Sequence, residues 1–322
     1  MQTTFRRTVR LARMHCSSLG RLLSVATTLA AVLAARTLTQ AQTVDILSLP
    51  TTGAAGQIEG VVQGFDPATH EIAAFVYADG RGWSAEPSTR SRTTPINPDG
   101  SFRVDVGTDG EAEFASAFVA SVIPKGAFTP GLSNAPTLLL GDNSLANDVV
   151  RRYGREIQFA GRTWGIKESG GTVGPGANFF SAREEDIFVD AAGDLHLTIK
   201  NSNGAWRATE AILNETLGYG TYVFKTNSEV DKLDANAVFG AFTWDPFGDD
   251  ADIPGWPFRE IDFEDSRWGN VDDPMTSQTV VQPPSALRTE RFTLPDLSSD
   301  ARLTRFFTWT PNRIEWVTLL GD

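Results

Sequence analysis

The chain has 322 residues, enough for about two domains, and its 40 acidic and 28 basic side chains give a net charge of −12. Such an acidic surface argues against nucleic acid or an anionic membrane as a partner. One cysteine, Cys16, and three histidines leave little material for thiol chemistry, a Ser-His-Asp triad or a histidine-rich zinc site. Carboxylate chemistry is what remains, and we expect no cofactor.

The first 41 residues have the pattern of a secretory signal peptide. An arginine-rich start precedes an apolar run over residues 22–35, which is short for a membrane span, and Thr39-Gln40-Ala41 is an acceptable cleavage site. The alternative is a membrane anchor that stays uncleaved. Cleavage would remove six arginines and no acid, leaving 22 basic and 40 acidic residues and a net charge of −18. We therefore expect a secreted, monomeric protein without membrane contact after cleavage.

The next part of the chain predicts a small accessory domain. Residues 42–55 are rich in Thr, Gly and Ala and indicate a linker. Residues 56–140 alternate short apolar runs with Asp-, Gly- and Pro-containing turns, which predicts a β-sandwich. Its aromatics Phe75, Tyr77 and Trp83 could line a sugar-binding face, but core positions are favoured for them.

A second domain is predicted over residues 153–322, after a polar stretch at 141–152 that suits a linker or a short helix. Residues 186–199 carry two apolar segments around the turn sequence Ala-Ala-Gly-Asp, which predicts a β-hairpin. An acidic loop with Asp249, Asp250 and Asp252 could bind a structural Ca²⁺, although a solvated loop is the favoured interpretation.

The stretch Arg259-Glu260-Ile261-Asp262-Phe263-Glu264-Asp265 carries the predicted chemistry. Its period of two predicts a β-strand with Glu260, Asp262 and Glu264 on one face, which could simply be a solvated face. Residues four apart on a strand are roughly 13 Å apart, and two Glu side chains leaning together can bring their carboxyls to about 5–5.5 Å. That separation suits a retaining glycosidase.

Trp256-Pro257-Phe258-Arg259 followed by EIDFE resembles the signature of glycoside hydrolase family 16, which contains lichenases, laminarinases and related hydrolases. Gly218-Tyr219-Gly220 and the late segment 306–317 are also similar to that family. The resemblance implies a concanavalin-like β-jelly roll whose concave face forms a polysaccharide cleft. The family continues through further strands where this chain stops, so we expect a fragment or a sheet without its edge strands.

The resemblance also implies roles for individual residues. Glu260 would be the nucleophile, Glu264 the general acid and base, and Asp262 the group that orients the pair. Glu264 should have a pKa raised by its neighbours' charge. The unbulged spacing of the motif leans toward β-1,3-1,4-linked or related glucans.

Substrate contacts are implied at three further positions. Trp256 matches an aromatic platform beneath a sugar ring, and Trp268 is a second candidate of this kind. Glu210 matches a substrate-contacting glutamate of the cleft, with a solvent-facing strand glutamate as the equal alternative.

The expected function is therefore a secreted, endo-acting, retaining hydrolase of a β-glucan-like polysaccharide. Two competitors remain at this stage. One is a non-catalytic, lectin-like β-glucan-binding protein on the same fold, and the other is a structural or adhesive protein without a sugar site.

Overall fold

The computed structural model describes residues 41–88, 92–108, 110–127, 129, 131–132, 135, 138, 140, 142–245, 259–298 and 302–321. Within these residues the chain is all-β, in the β-sandwich and jelly-roll class that the sequence predicts. One 3-10 turn (Val230–Lys232) is the helical element of this part of the chain. No helix among the described residues is long and apolar enough to cross a membrane.

The N-terminal half forms two antiparallel sheets. The first has the order β1-β2-β6, and the second has the order β4-β3-β7-β8, with β5 pairing beside β4 on the same edge of β3. The strands are β1 (Thr43–Ser48), β2 (Gly56–Gln63), β3 (His70–Ala78), β4 (Gly82–Glu86), β5 (Thr93–Pro95), β6 (Ser101–Val106), β7 (Ala117–Pro124) and β8 (Ala146–Arg151).

These two sheets pack face to face, and the second sheet is buried on its other face as well. Ile58 and Phe102 from the first sheet meet Phe118 from the second in one apolar cluster. Tyr77 and Trp83 lie in another cluster on the far side of β3 and β4. Double burial explains why β3 and β7 are nearly continuous apolar runs rather than alternating ones. Phe75, Tyr77 and Trp83 are core residues, as favoured from the sequence.

Two expected boundaries of the N-terminal domain were wrong. Residues Thr43–Ser48, within the predicted linker, form β1, because Val44 supplies a core side chain and the strand pairs along β2. Residues Ala146–Arg151, within the predicted interdomain stretch, form β8, which pairs with β7. From Gln40 onward the chain clusters as one unit.

The C-terminal half forms five smaller sheets, with the orders β16-β10-β9, β11-β15-β14, β12-β13, β17-β22-β23 and β18-β19-β20-β21. The strands are β9 (Arg155–Phe159), β10 (Arg162–Ile166), β11 (Phe179–Phe180), β12 (Ile187–Val189), β13 (Leu195–Leu197), β14 (Lys200–Ser202), β15 (Ala205–Ala208), β16 (Ala211–Leu213), β17 (Gly220–Thr226), β18 (Phe239–Phe242), β19 (Ile261–Asp265), β20 (Ser277–Val281), β21 (Thr289–Phe292), β22 (Leu303–Thr310) and β23 (Arg313–Leu320). The predicted hairpin at 186–199 is present as β12 and β13.

The last two sheets stack on each other and position the motif strand. Ile261 and Phe263 of β19 pack on Phe307 of β22, with Trp316 of β23 edge-on to Phe263 at 5.1 Å between ring centroids. The apolar positions of β19 therefore face the neighbouring sheet, as the period-two pattern requires.

Candidate active site

The three predicted acids follow one another along a single strand. Glu260 immediately precedes β19, and Asp262 and Glu264 lie within it, on the face opposite Ile261 and Phe263. This face is not a solvated one, because Asp262 is only 2% exposed and Glu264 is half-buried. Burying neighbouring carboxyls is costly unless hydrogen bonds or protonation compensate.

A buried ion pair anchors the strand from its core face. Arg305 of β22 donates two hydrogen bonds to Asp265, of 2.8 and 2.7 Å, and both side chains are fully buried. Ser277 of β20 donates a third hydrogen bond of 2.8 Å to the same carboxylate. This fork of donors joins three strands and fixes the position of β19 along its length.

The start of the strand is also fixed. The Thr243 hydroxyl donates to the Arg259 carbonyl at 2.9 Å and accepts from the Ile261 amide at 3.0 Å. It therefore links the residues immediately before and after Glu260. Arg259 has a φ of 48°, in the left-handed region, and its guanidinium forms an ion pair with Asp245. Such backbone conformations in non-glycine residues are concentrated at functional sites.

Two glutamines, Gln278 in β20 and Gln282 just after it, hydrogen-bond the acids. Gln278, directly opposite Glu264 in the register, donates to its Oε2 at 2.5 Å. Gln282 donates to Asp262 Oδ2 at 3.0 Å. Sequence reasoning missed both residues. A usable signal was present, since two amides four residues apart, in and just after the next strand, repeat the spacing of Glu260 and Glu264.

The central carboxyl holds its proton most strongly. Burial, followed by the negative charges of Glu260 and Glu264, raises the pKa of Asp262 from 3.8 to about 9, and a hydrogen bond with Glu260 acts in the same direction. The hydrogen bond from Gln282 opposes this shift. Asp262 is therefore protonated at neutral pH and can donate to Glu260.

The pKa of Glu264 is also raised, as the sequence predicts, but for a different main reason. Burial is the largest cause, and the charge of Asp265 adds to it, while the hydrogen bond from Gln278 lowers the pKa. The sequence predicts neighbouring charge as the main cause, and in the structure burial is the larger one. A raised pKa keeps Glu264 protonated to a higher pH than an ordinary glutamic acid, which suits a proton donor.

Glu210 lies in a second cluster of charges. Its Oε2 is 2.9 Å from the Nζ of Lys167, which is also 2.9 Å from Oδ2 of Asp79. Glu210 has 15% of its side chain exposed, so the solvent-facing alternative was wrong. Burial raises its pKa, and the charge of Lys167 opposes that shift.

The two predicted tryptophan platforms have different outcomes. Trp268 lies just past β19 with 42% of its surface exposed and a φ of 46°. The Arg291 guanidinium lies 4.7 Å from its ring centroid and is held by Asp273. Trp256 lies outside the described residues.

The described residues offer no ready metal site. No group of three or more His, Cys, Asp or Glu side chains in the described ranges is arranged to hold an ion. Asp249, Asp250 and Asp252, the possible Ca²⁺ ligands, lie outside those ranges.

A surface cavity of about 570 Å³ lies away from the acids, between the β1–β2 connection and the segment 151–156. None of Glu260, Asp262 or Glu264 lines it. The two terminal nitrogens of Arg152, one of its lining residues, donate to the backbone carbonyls of Pro50, Thr51, Ala112 and Glu113.

No family model matches the chain, and no curated protein matches it significantly.

Proposed function

We propose that this chain is a secreted, retaining, endo-acting glycoside hydrolase of β-linked polysaccharide, with β-glucan as the substrate class. The observation that carries the proposal is the row of three carboxyls on one buried strand, in which the central one has a pKa of about 9. Placing three acids together and burying them destabilises the folded state, so a chemical use is the simplest reason for the arrangement.

In the proposed reaction Glu260 acts as an ionised nucleophile and Glu264 as a proton donor. The Glu260 carboxylate attacks the anomeric carbon while the glycosidic C–O bond breaks, and Glu264 gives its proton to the leaving oxygen. Water then attacks the anomeric carbon, Glu264 takes the proton of that water, and Glu260 leaves as the carboxylate. Both glutamates return to their starting states.

Asp262 holds the nucleophile in this mechanism. Protonated at neutral pH, it is placed beside the ionised Glu260 as a hydrogen-bond donor that would orient the attacking oxygen. When Glu260 becomes a glycosyl ester it loses its charge, which removes one of the causes that raise the pKa of Asp262. Gln282 holds the other oxygen of Asp262, so the donor keeps its direction through the cycle.

The test is reducing-sugar release from a panel of soluble β-glucans by wild type, Glu260→Ala and Glu290→Ala. Glu290 is an exposed residue of β21 in the same sheet and is the matched control. We expect Glu260→Ala to lose activity by about 10³-fold or more and Glu290→Ala to keep it. Equal release by wild type and Glu260→Ala would refute the hydrolase.

Two further measurements separate the alternatives. The first product seen by ¹H NMR should be the β anomer, and azide should restore bond cleavage in Glu260→Ala by taking the place of the missing carboxylate. Retardation in β-glucan gels without any cleavage by wild type would instead identify a binding protein. Absence of both cleavage and retardation would favour a structural protein.

A further inference from the structure

Lys167 is a buried lysine whose ammonium group is fully engaged. Its side chain is 5% exposed, and Nζ lies 2.9 Å from Asp79, 2.9 Å from Glu210 and 2.7 Å from the carbonyl oxygen of Gly174. The ring of Phe180 lies 4.3 Å from the same nitrogen. An ammonium has three N–H donors, so these three acceptors fix its position.

The three acceptors come from separate parts of the chain. Asp79 follows β3 in the N-terminal half, whereas Gly174 and Glu210 belong to the C-terminal half. Backbone hydrogen bonds reinforce the arrangement, from Gly174 N to the Asp79 carbonyl at 2.8 Å and from Lys167 N to the Glu210 carbonyl at 3.0 Å. A Cβ built on Gly80 would lie 3.0 Å from the Gly174 nitrogen, so the two backbones touch directly.

The charges of the cluster support one another. Burial alone would lower the pKa of Lys167, but the charges of Glu210 and Asp79 outweigh it and raise the pKa. The lysine therefore stays charged while two carboxylates share it. Removing Asp79 would leave the ammonium with one donor unused and free to shift away from its present direction.

The end of β3, just before Asp79, also packs toward the start of the motif strand. Tyr77, two residues before Asp79, is 2% exposed, and Trp244 packs against its cluster. Burial raises the pKa of the Tyr77 phenol, and the charges of Asp79 and Glu260 act in the same direction. Trp244 follows Thr243, whose hydroxyl contacts the residues on both sides of Glu260, so the end of β3 lies near Glu260 as well as near the Lys167–Glu210 pair.

We propose that the N-terminal sheets are part of the substrate site, because Asp79 positions Glu210 through Lys167. This inference rests on the proposed function and on the substrate contact that the family resemblance implies for Glu210. Asp79 and Lys167 are positioning residues. Lys167 holds Oε2 of Glu210 at 2.9 Å, which fixes the orientation of that carboxylate.

The test compares kcat and KM on a soluble β-glucan for Asp79→Asn, Glu210→Gln and the double variant. Asp79→Asn keeps the size of the side chain and removes its charge. We expect Asp79→Asn to raise KM by about five- to tenfold and to change kcat by less than about twofold. The reason is that the lost interaction binds the ground state and the transition state equally and does not assist the chemical step. In the Glu210→Gln background the same change should have no further effect, because the residue it positions is already altered.

Glu111→Gln is the matched control. Glu111 is a carboxylate of the N-terminal half that contacts Arg81 at 3.5 Å, and its replacement should leave KM unchanged. If Asp79→Asn does not fold, Asp79→Glu keeps the charge but displaces the ammonium by a methylene, and the same rise in KM is expected. Circular dichroism and the melting temperature are measured for every variant.

The outcomes are distinguishable. A wild-type protein that neither cleaves nor binds any glucan overturns the proposed function, and this inference with it. An active wild type whose KM is unchanged by Asp79→Asn, or whose melting temperature alone falls, overturns the positioning role and leaves the hydrolase intact. Additive effects of the two substitutions also overturn it.

Discussion

Replacing Arg305 by methionine should be among the most destabilising single changes near the site. The guanidinium makes two hydrogen bonds of 2.7 and 2.8 Å to Asp265, and both residues are fully buried. Methionine is of similar length but donates no hydrogen bond. The Asp265 carboxylate would keep only one of its three side-chain donors, the Ser277 hydroxyl. Breaking a buried pair from one side costs about 3–5 kcal/mol, so we expect Arg305→Met to lose that much unfolding free energy.

The double variant Arg305→Met/Asp265→Leu isolates the reason. It removes both charges, so no carboxylate is left stranded in the core, and such replacements are often neutral or mildly stabilising. We expect the double variant to be more stable than Arg305→Met alone. Strong non-additivity of the unfolding free energies in this double-mutant cycle would reflect an unpaired buried charge rather than lost packing.

The assay is urea unfolding at pH 7, followed by tryptophan fluorescence and circular dichroism, whose transitions must coincide before free energies are compared. Arg313→Met is the control. Arg313 forms an ion pair with Glu315 on β23, and both side chains are more than half exposed, so its loss should cost under about 1 kcal/mol. The reasoning is refuted if Arg305→Met costs no more than Arg313→Met, or if the cycle is additive.

Two pH-dependent predictions follow from the acids of β19. The raised pKa of Asp262 means that the folded protein keeps a proton that the unfolded chain releases, so the contribution of this group to stability is complete below pH 3.8 and is lost as pH rises to about 9. Asp262→Asn should remove this decline in unfolding free energy, which amounts to at most about 1.4 kcal/mol per pH unit. The raised pKa would be contradicted if the difference in unfolding free energy between wild type and variant stayed constant between pH 3.8 and about 9. Gln278→Leu removes a hydrogen bond that lowers the pKa of Glu264, so the basic limb of the kcat/KM profile should move to higher pH. An unmoved or acid-shifted limb would show that Glu264 is not the proton donor.

The features that follow local periodicity could be predicted from the sequence. The alternation of Glu260 to Glu264 with Ile261 and Phe263 gives the strand and assigns its two faces, because successive side chains on a strand point in opposite directions. The turn after Val189 gives the hairpin for the same local reason. The all-β class follows from many such short segments.

Features that depend on distant pairings could not be predicted. The strand Thr43–Ser48 is composed like a linker and becomes a strand because β2 offers it a partner edge. The burial of Asp262, and hence its pKa, depends on what covers the face of β19, and a solvated face has the same alternating pattern. Lys167 carries no sequence signal, since its partner Asp79 belongs to the other half of the chain.

The direct backbone contact between Gly80 and Gly174 has a consequence for engineering. A Cβ at either position would lie 3.0 Å from the opposing backbone, which would have to give by a few tenths of an ångström. Gly80 also has a φ of 74°, which few other residues tolerate. A foreign module grafted in place of the N-terminal half would need a glycine turn of matching shape and an acid to receive the Lys167 ammonium. A fragment beginning near residue 153 would lose the Asp79 side chain and leave the Lys167 ammonium with two of its three acceptors.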